Sequence, residues 1–282
     1  MGSWHAWVLV AVVGCCFVAS ALSFQLPTKS VYPFLLGETA VNISVFAAPV
    51  PTSSGAARAA LHFLNVHQNE NTSVVAAKVL LYYYGGSITL LEHGGERLVS
   101  FKLEGTVYTF DPNRMFTPVG VEATLKEYGP YSPVAAKHVL AFSQRLLEIY
   151  DFNRLPTVVT LHNNGPNYNA SLYLPGGPFA NEAEKVFIAP GAFARDFFFV
   201  TENAFFEKLK AEGLNVVLQQ SQHAPTDDGS LSVYAYLKKK PYLNVEAAAA
   251  DDADGTRVLA QVDMLTRMKT RYINQSAAFL RC

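Results

Sequence analysis

The chain has 282 residues, half of them hydrophobic, with 22 lysines and arginines against 23 aspartates and glutamates. A net charge of −1, with no basic run longer than Lys238-Lys239-Lys240, argues against a nucleic-acid partner. Cys15, Cys16 and Cys282 are too few and too badly placed to build a zinc site from thiolates.

Residues 6–22 are almost wholly apolar and lead into the small residues Ala19, Ala21 and Ser23, which is how a signal peptide reads. Residues 1–23 are therefore read as a signal peptide and 24–282 as the mature domain, secreted or lumenal. An uncleaved membrane anchor is the alternative, because the apolar run nearly reaches spanning length. Removal of Cys15 and Cys16 leaves Cys282 as the single thiol, so an internal disulfide is excluded even in an oxidising compartment. Four glycosylation sequons, at Asn42, Asn71, Asn169 and Asn274, fit that compartment. The remaining ~260 residues suit one hydrophobic core.

Residues 47–57, rich in Pro, Ser, Gly and Ala, read as a loop. Residues 59–66 then form a buried-type strand, and 72–84 have helical length and stop at Gly85-Gly86. Apolar residues on either side of Gly94-Gly95 predict a hairpin over 87–103. A Ser-Pro start opens an amphipathic helix at 132–150, followed by a β-branched strand at 155–161. A helix at 202–211 leads to a strand at 214–218, a further strand lies at 242–245, and a helix closes the chain at 256–269. Strands alternating with helices predict an α/β domain with a central mixed, largely parallel, twisted sheet flanked by helices.

His67-Gln68-Asn69-Glu70 joins a strand to a helix. A His leaving a strand and a Glu entering a helix can meet one metal ion at the carboxyl edge of a sheet, where such folds place their chemistry. His162, at the end of the strand Val158-Val159-Thr160-Leu161, is the candidate third ligand. Zinc accepts this His/Glu/His set and, when catalytic, keeps a fourth position open. A second copy, His93-Gly94-Gly95-Glu96, falls on the predicted hairpin turn and is expected to face solvent. His67 is therefore preferred over His93, and His138 is assigned to a helix surface or its packing.

His67-x-x-Glu70, Asp111-Pro112-Asn113-Arg114, His162 and Tyr242-Leu243-Asn244-Val245-Glu246 occur in that order. Together they resemble the zinc carboxypeptidase and aspartoacylase–succinylglutamate desuccinylase superfamily, over residues 58 to about 265. The interval from His67 to His162 suits the compact deacylase branch, whereas residues 228–234 are more similar to the carboxypeptidase branch. The resemblance implies zinc held by His67, Glu70 and His162, a substrate carboxylate clamped by Asn113 and Arg114, and Glu246 as general base toward metal-bound water. It implies a small peptide or acyl amino-acid substrate with a free carboxylate. It also implies an arginine that polarises the scissile carbonyl, for which Arg97 and Arg195 are both open. The rival readings are an inactive member of the superfamily acting as a binding protein, and a metal-free hydrolase using Asp and Glu residues.

Overall fold

The structure is a computed structural model that describes residues 27–50, 60–220, 224–249 and 255–279. The proposed signal peptide, all three cysteines and most of the 47–57 loop lie outside these residues. A hairpin opens the fold, β1 (Thr28–Leu36) and β2 (Thr39–Ala48), followed by β3 (Leu61–Asn65), α1 (Asn71–Tyr84) and β4 (Gly86–Glu92). Next come β5 (Val99–Leu103), β6 (Thr106–Phe110), α2 (Pro118–Tyr128), α3 (Pro133–Tyr150) and β7 (Val158–Asn164). The last third holds β8 (Ala183–Phe187), β9 (Phe197–Val200), α4 (Asn203–Ala211), β10 (Val216–Gln219), α5 (Leu231–Leu237), β11 (Tyr242–Ala248) and α6 (Thr256–Phe279).

Nine strands form one sheet in the order β1-β2-β4-β3-β7-β11-β9-β10-β8. The central run β4-β3-β7-β11 is parallel, and the pairings that flank it, β2 with β4 and β11 with β9, are antiparallel. Central strands covered on both faces need apolar residues throughout rather than alternation. Accordingly Phe197–Val200 is buried at every position, and so is β11, where Asn244 and Glu246 are polar exceptions. One face packs against α2, α3 and α5 through Val121, Phe142, Leu146 and Leu231, and the other against α1, α4 and α6 through Leu80, Phe206 and Leu265. Helices α2 and α3 start alike. Thr117 and Ser132 each accept a first-turn N–H, from Gly120 and Ala135, and a proline with its fixed φ follows. Among the described residues no helix is long and apolar enough to cross a membrane.

The expected hairpin over 87–103 does not form. β4 lies in the central sheet between β2 and β3, while β5 pairs with β6 in a separate two-stranded sheet. Their burial explains the separation, because β4 is apolar on both faces and β5 alternates buried with exposed positions. Gly86 lets β4 approach β3. Its φ is +114°, and a Cβ there would sit 1.9 Å from the Leu61 carbonyl oxygen. Two strand ends also move. The strand read at 155–161 runs Val158–Asn164, which puts His162 inside it, and β11 continues past 245 through Glu246. The closing helix extends to Phe279.

Candidate metal centre

His67 follows β3 by two residues, and Glu70 is the N-cap of α1. The Glu70 N–H donates to the His67 carbonyl at 3.1 Å, so the chain turns within four residues and brings both side chains to one spot. β3 and β7 run parallel, with Leu64 beside Thr160, and this carries His162 to the same carboxyl edge. The Nδ1 atoms of His67 and His162 stand 3.2 Å apart. Glu70 Oε1 lies 2.8 Å from the first, and Glu70 Oε2 lies 3.1 Å from the second. All three residues are buried.

A second layer holds them. Asp111 Oδ1 accepts from His67 Nε2 at 2.9 Å, which keeps a proton on that nitrogen and leaves Nδ1 to face Glu70. The Asp111 carboxylate also caps its own turn by accepting the Asn113 N–H at 2.7 Å. Arg97 donates to Glu70 Oε1 at 2.8 Å, and the Asn163 N–H donates to Glu70 Oε2 at 3.0 Å. Against the penalty of burial, the Glu70 and Asp111 carboxylates hold the His67 imidazole up at about 9. Against the same penalty, His67 and His162 hold Glu70 well below the usual carboxylate range. Asp111 is likewise lowered, by His67 and then Arg97 against its burial.

The donor set fits zinc. Ligand atoms of a tetrahedral zinc at ordinary bond lengths lie about 3.3 Å from one another, close to the separations seen here. Among the described residues, His67, Glu70 and His162 are the one group of three or more His, Cys, Asp or Glu that could hold a metal ion. Two imidazole nitrogens facing each other across a carboxylate make a concave site for a cation, and a cation entering it displaces protons.

The group sits at the wall of a cavity of about 750 Å³ that also reaches Asn71, Arg97, Asn113, Arg114, Tyr168 and Glu246. Asn113 and Arg114 ride on a short 3-10 turn, Pro112–Arg114. The Leu231 N–H donates to Asn113 Oδ1 at 3.3 Å, and Arg114 Nη2 lies 3.6 Å from Asp228 Oδ2. Glycines make that approach feasible, since a Cβ on Gly229, whose φ is +78°, would come within 2.4 Å of the Arg114 carbonyl oxygen. Glu246 is buried, with its carboxyl raised chiefly by burial. Arg97 faces the cavity, whereas Arg195 is occupied by Asn164, donating to its side-chain and backbone oxygens at 3.2 and 2.6 Å.

His93 does not face solvent as its turn placement suggested. It is half-buried beside β4, and both ring nitrogens are buried without a hydrogen-bond partner among the described residues. The N-cap Glu70 makes no capping hydrogen bond through its side chain; Asn163 Oδ1 instead accepts the first-turn Ser73 N–H at 2.8 Å. Asp111 as the partner of His67 escaped the sequence reading, which assigned chemistry only to the Asn and Arg of its motif. A short polar side chain before a proline signals a turn, not a histidine 44 positions earlier.

No protein-family model and no curated protein matches the chain. Solved structures do align with it. The murein-tripeptide amidase of Escherichia coli O157 aligns at 14% identity and TM-score 0.43, covering 88% of this chain and 96% of that one. The succinylglutamate desuccinylase of Chromobacterium violaceum aligns at 13% identity and TM-score 0.42, covering 88% and 70%. Similar too is a succinylglutamate desuccinylase/aspartoacylase of Rhodobacter sphaeroides, at 11% identity and TM-score 0.42, covering 91% and 69%.

Proposed function

We propose that the chain is a zinc-dependent hydrolase that cleaves an amide bond close to a free carboxylate, as a carboxypeptidase or an N-acyl amino-acid deacylase. The observation that carries this reading is the meeting of His67, Glu70 and His162 at one wall of a cavity that also holds a buried Glu and a guanidinium. Zinc bound there supplies Lewis acidity and makes water a competent nucleophile near neutral pH. The remaining work falls to the chain.

Arg114, whose Nη1 donates to the Asn113 carbonyl and whose Nη2 is only loosely engaged by Asp228, and Asn113, whose Oδ1 is taken by Leu231, hold the substrate carboxylate. Arg97, which lines the cavity half exposed while its Nη1 donates to Glu70, is the arginine assigned to the scissile carbonyl, whereas Arg195 is turned to Asn164. Glu246 accepts a proton from the attacking water and returns it to the leaving nitrogen. The apolar segment at residues 6–22, with the small residues that follow, supports a secretory-pathway location for this activity.

The test is elemental analysis of the purified protein beside hydrolysis of a panel of N-acetyl amino acids and dipeptides, with and without chelator. One zinc per chain and chelator-sensitive release of an amino acid are expected. Bound zinc without hydrolysis returns the binding-protein reading, and hydrolysis without metal returns the carboxylate-only one. Mass spectrometry of the N-terminus after secretion checks removal of residues 1–23.

A further inference from the structure

The parallel strands β7 and β11 run in register, with Thr160 beside Asn244, His162 beside Glu246 and Asn164 beside Ala248. Alternate residues of a strand share a face, so Asn244 precedes Glu246 on its own strand and Asn164 stands diagonally across from it. Asn244 Nδ2 donates to Glu246 Oε1 at 3.0 Å, and Asn164 Nδ2 donates to Glu246 Oε2 at 3.3 Å. Each carboxylate oxygen thus has its own amide donor.

Neither amide is free to turn over. Arg195 Nε donates to Asn164 Oδ1 at 3.2 Å, which commits the other end of that amide to donation, toward Glu246 and the Arg195 carbonyl at 2.7 Å. On the other side, Thr160 Oγ1 donates to Asn244 Oδ1 at 3.1 Å. A hydroxyl has one proton to give. With that proton spent on Asn244, the 2.7 Å contact between Thr160 Oγ1 and Tyr242 Oη must run from the tyrosine to the threonine. The order Tyr242 to Thr160 to Asn244 to Glu246 is therefore directional, and every member is buried.

We propose that Asn164 and Asn244 are positioning residues that set the Glu246 carboxylate, with Arg195 and the Tyr242–Thr160 pair orienting the two amides. This rests on the hydrolase reading above. A buried carboxylate at a cavity wall has rotamers to choose from, and two pre-aimed donors remove that choice. Misplacement of a reacting group by about 1 Å costs on the order of 10²-fold in rate.

Asn244→Leu in the zinc-loaded full chain removes one donor at similar volume. We expect kcat to fall about 10- to 100-fold, with KM within about threefold and zinc content unchanged. Thr160→Val, which touches neither Glu246 nor the metal ligands, should give a smaller loss in the same parameter and guards against a failure of Asn244→Leu to fold. In a Glu246→Gln background both substitutions should cost nothing further, because the group they position is gone. An equal loss in that background would overturn the proposal. A second readout needs no substrate. The side-chain amide NMR signals of Asn164 and Asn244 should be protected from exchange and should shift in Glu246→Ala. Unshifted signals would overturn the assignment. Shifted signals in a protein that hydrolyses nothing would uphold it while the hydrolase reading fell.

Discussion

Residues 67–70 and residues 93–96 share the pattern His-x-x-Glu and differ in what surrounds it. The first bridges a buried parallel strand and a helix N-terminus, so its glutamate enters the positive end of α1 and its histidine meets a second one from the adjoining strand. The second leaves β4 into a segment with two glycines of positive φ, and Glu96 ends exposed. Both histidines lose water. Two carboxylates in hydrogen-bond contact raise His67, whereas His93 is pushed down, first by burial and also by the charge of nearby His67, against smaller raising effects of the backbone and of Glu96. The four-residue pattern does not by itself assemble a candidate metal site. Three polar side chains delivered to one sheet edge do.

Four substitutions sharpen that contrast. His162→Ala should abolish stoichiometric zinc and reduce hydrolysis to background, since three protein ligands are the fewest that catalytic zinc sites ordinarily use. Elemental analysis and turnover check it together, and full zinc in this variant would remove β7 from the centre. Glu246→Gln should keep its zinc while kcat drops on the order of 10²–10⁴, the usual cost of losing a general acid–base. Near-normal turnover would take Glu246 out of the mechanism.

Asp111→Asn should weaken the hold on His67 without replacing any of the three candidate ligands. Loss of such a partner typically costs about 10–100-fold in metal affinity, readable by competition with a zinc indicator. The smallest effect belongs to the other copy. His93→Leu should leave zinc content and kcat within about twofold of wild type. It should not lower Tm, because it replaces two buried nitrogens that lack partners among the described residues. Zinc loss in His93→Leu equal to that in His162→Ala would show that the wrong histidine was chosen.

Much of the centre was legible because its residues sit beside strong local signals. The run Leu61 to Val66 and the helix stop at Gly85-Gly86 bracket His67 and Glu70, and Val158 to Leu161 leads into His162. The hairpin error came from reading Gly94-Gly95 as a turn between neighbours. Local pattern cannot report that β4 finds its partners in β2 and β3, from more distant parts of the chain. Arg97 on Glu70, Asp111 on His67 and Asn164 on Glu246 were invisible for the same reason, since each joins residues whose sequence neighbourhoods say nothing of the other.

The sequence by itself determined the alternation of strands and helices, the polar residues stranded in apolar runs at His162 and Glu246, and the near-neutral charge. Those follow from hydrophobic periodicity and composition, which are local quantities. Only the tertiary structure decided which of two His-x-x-Glu segments meets a second histidine, which arginine faces the cavity, and which amides hold the buried carboxylate. Those depend on strand order and register, and register is set by the burial of whole faces, so that a shift of one residue would turn Glu246 to the other side of the sheet.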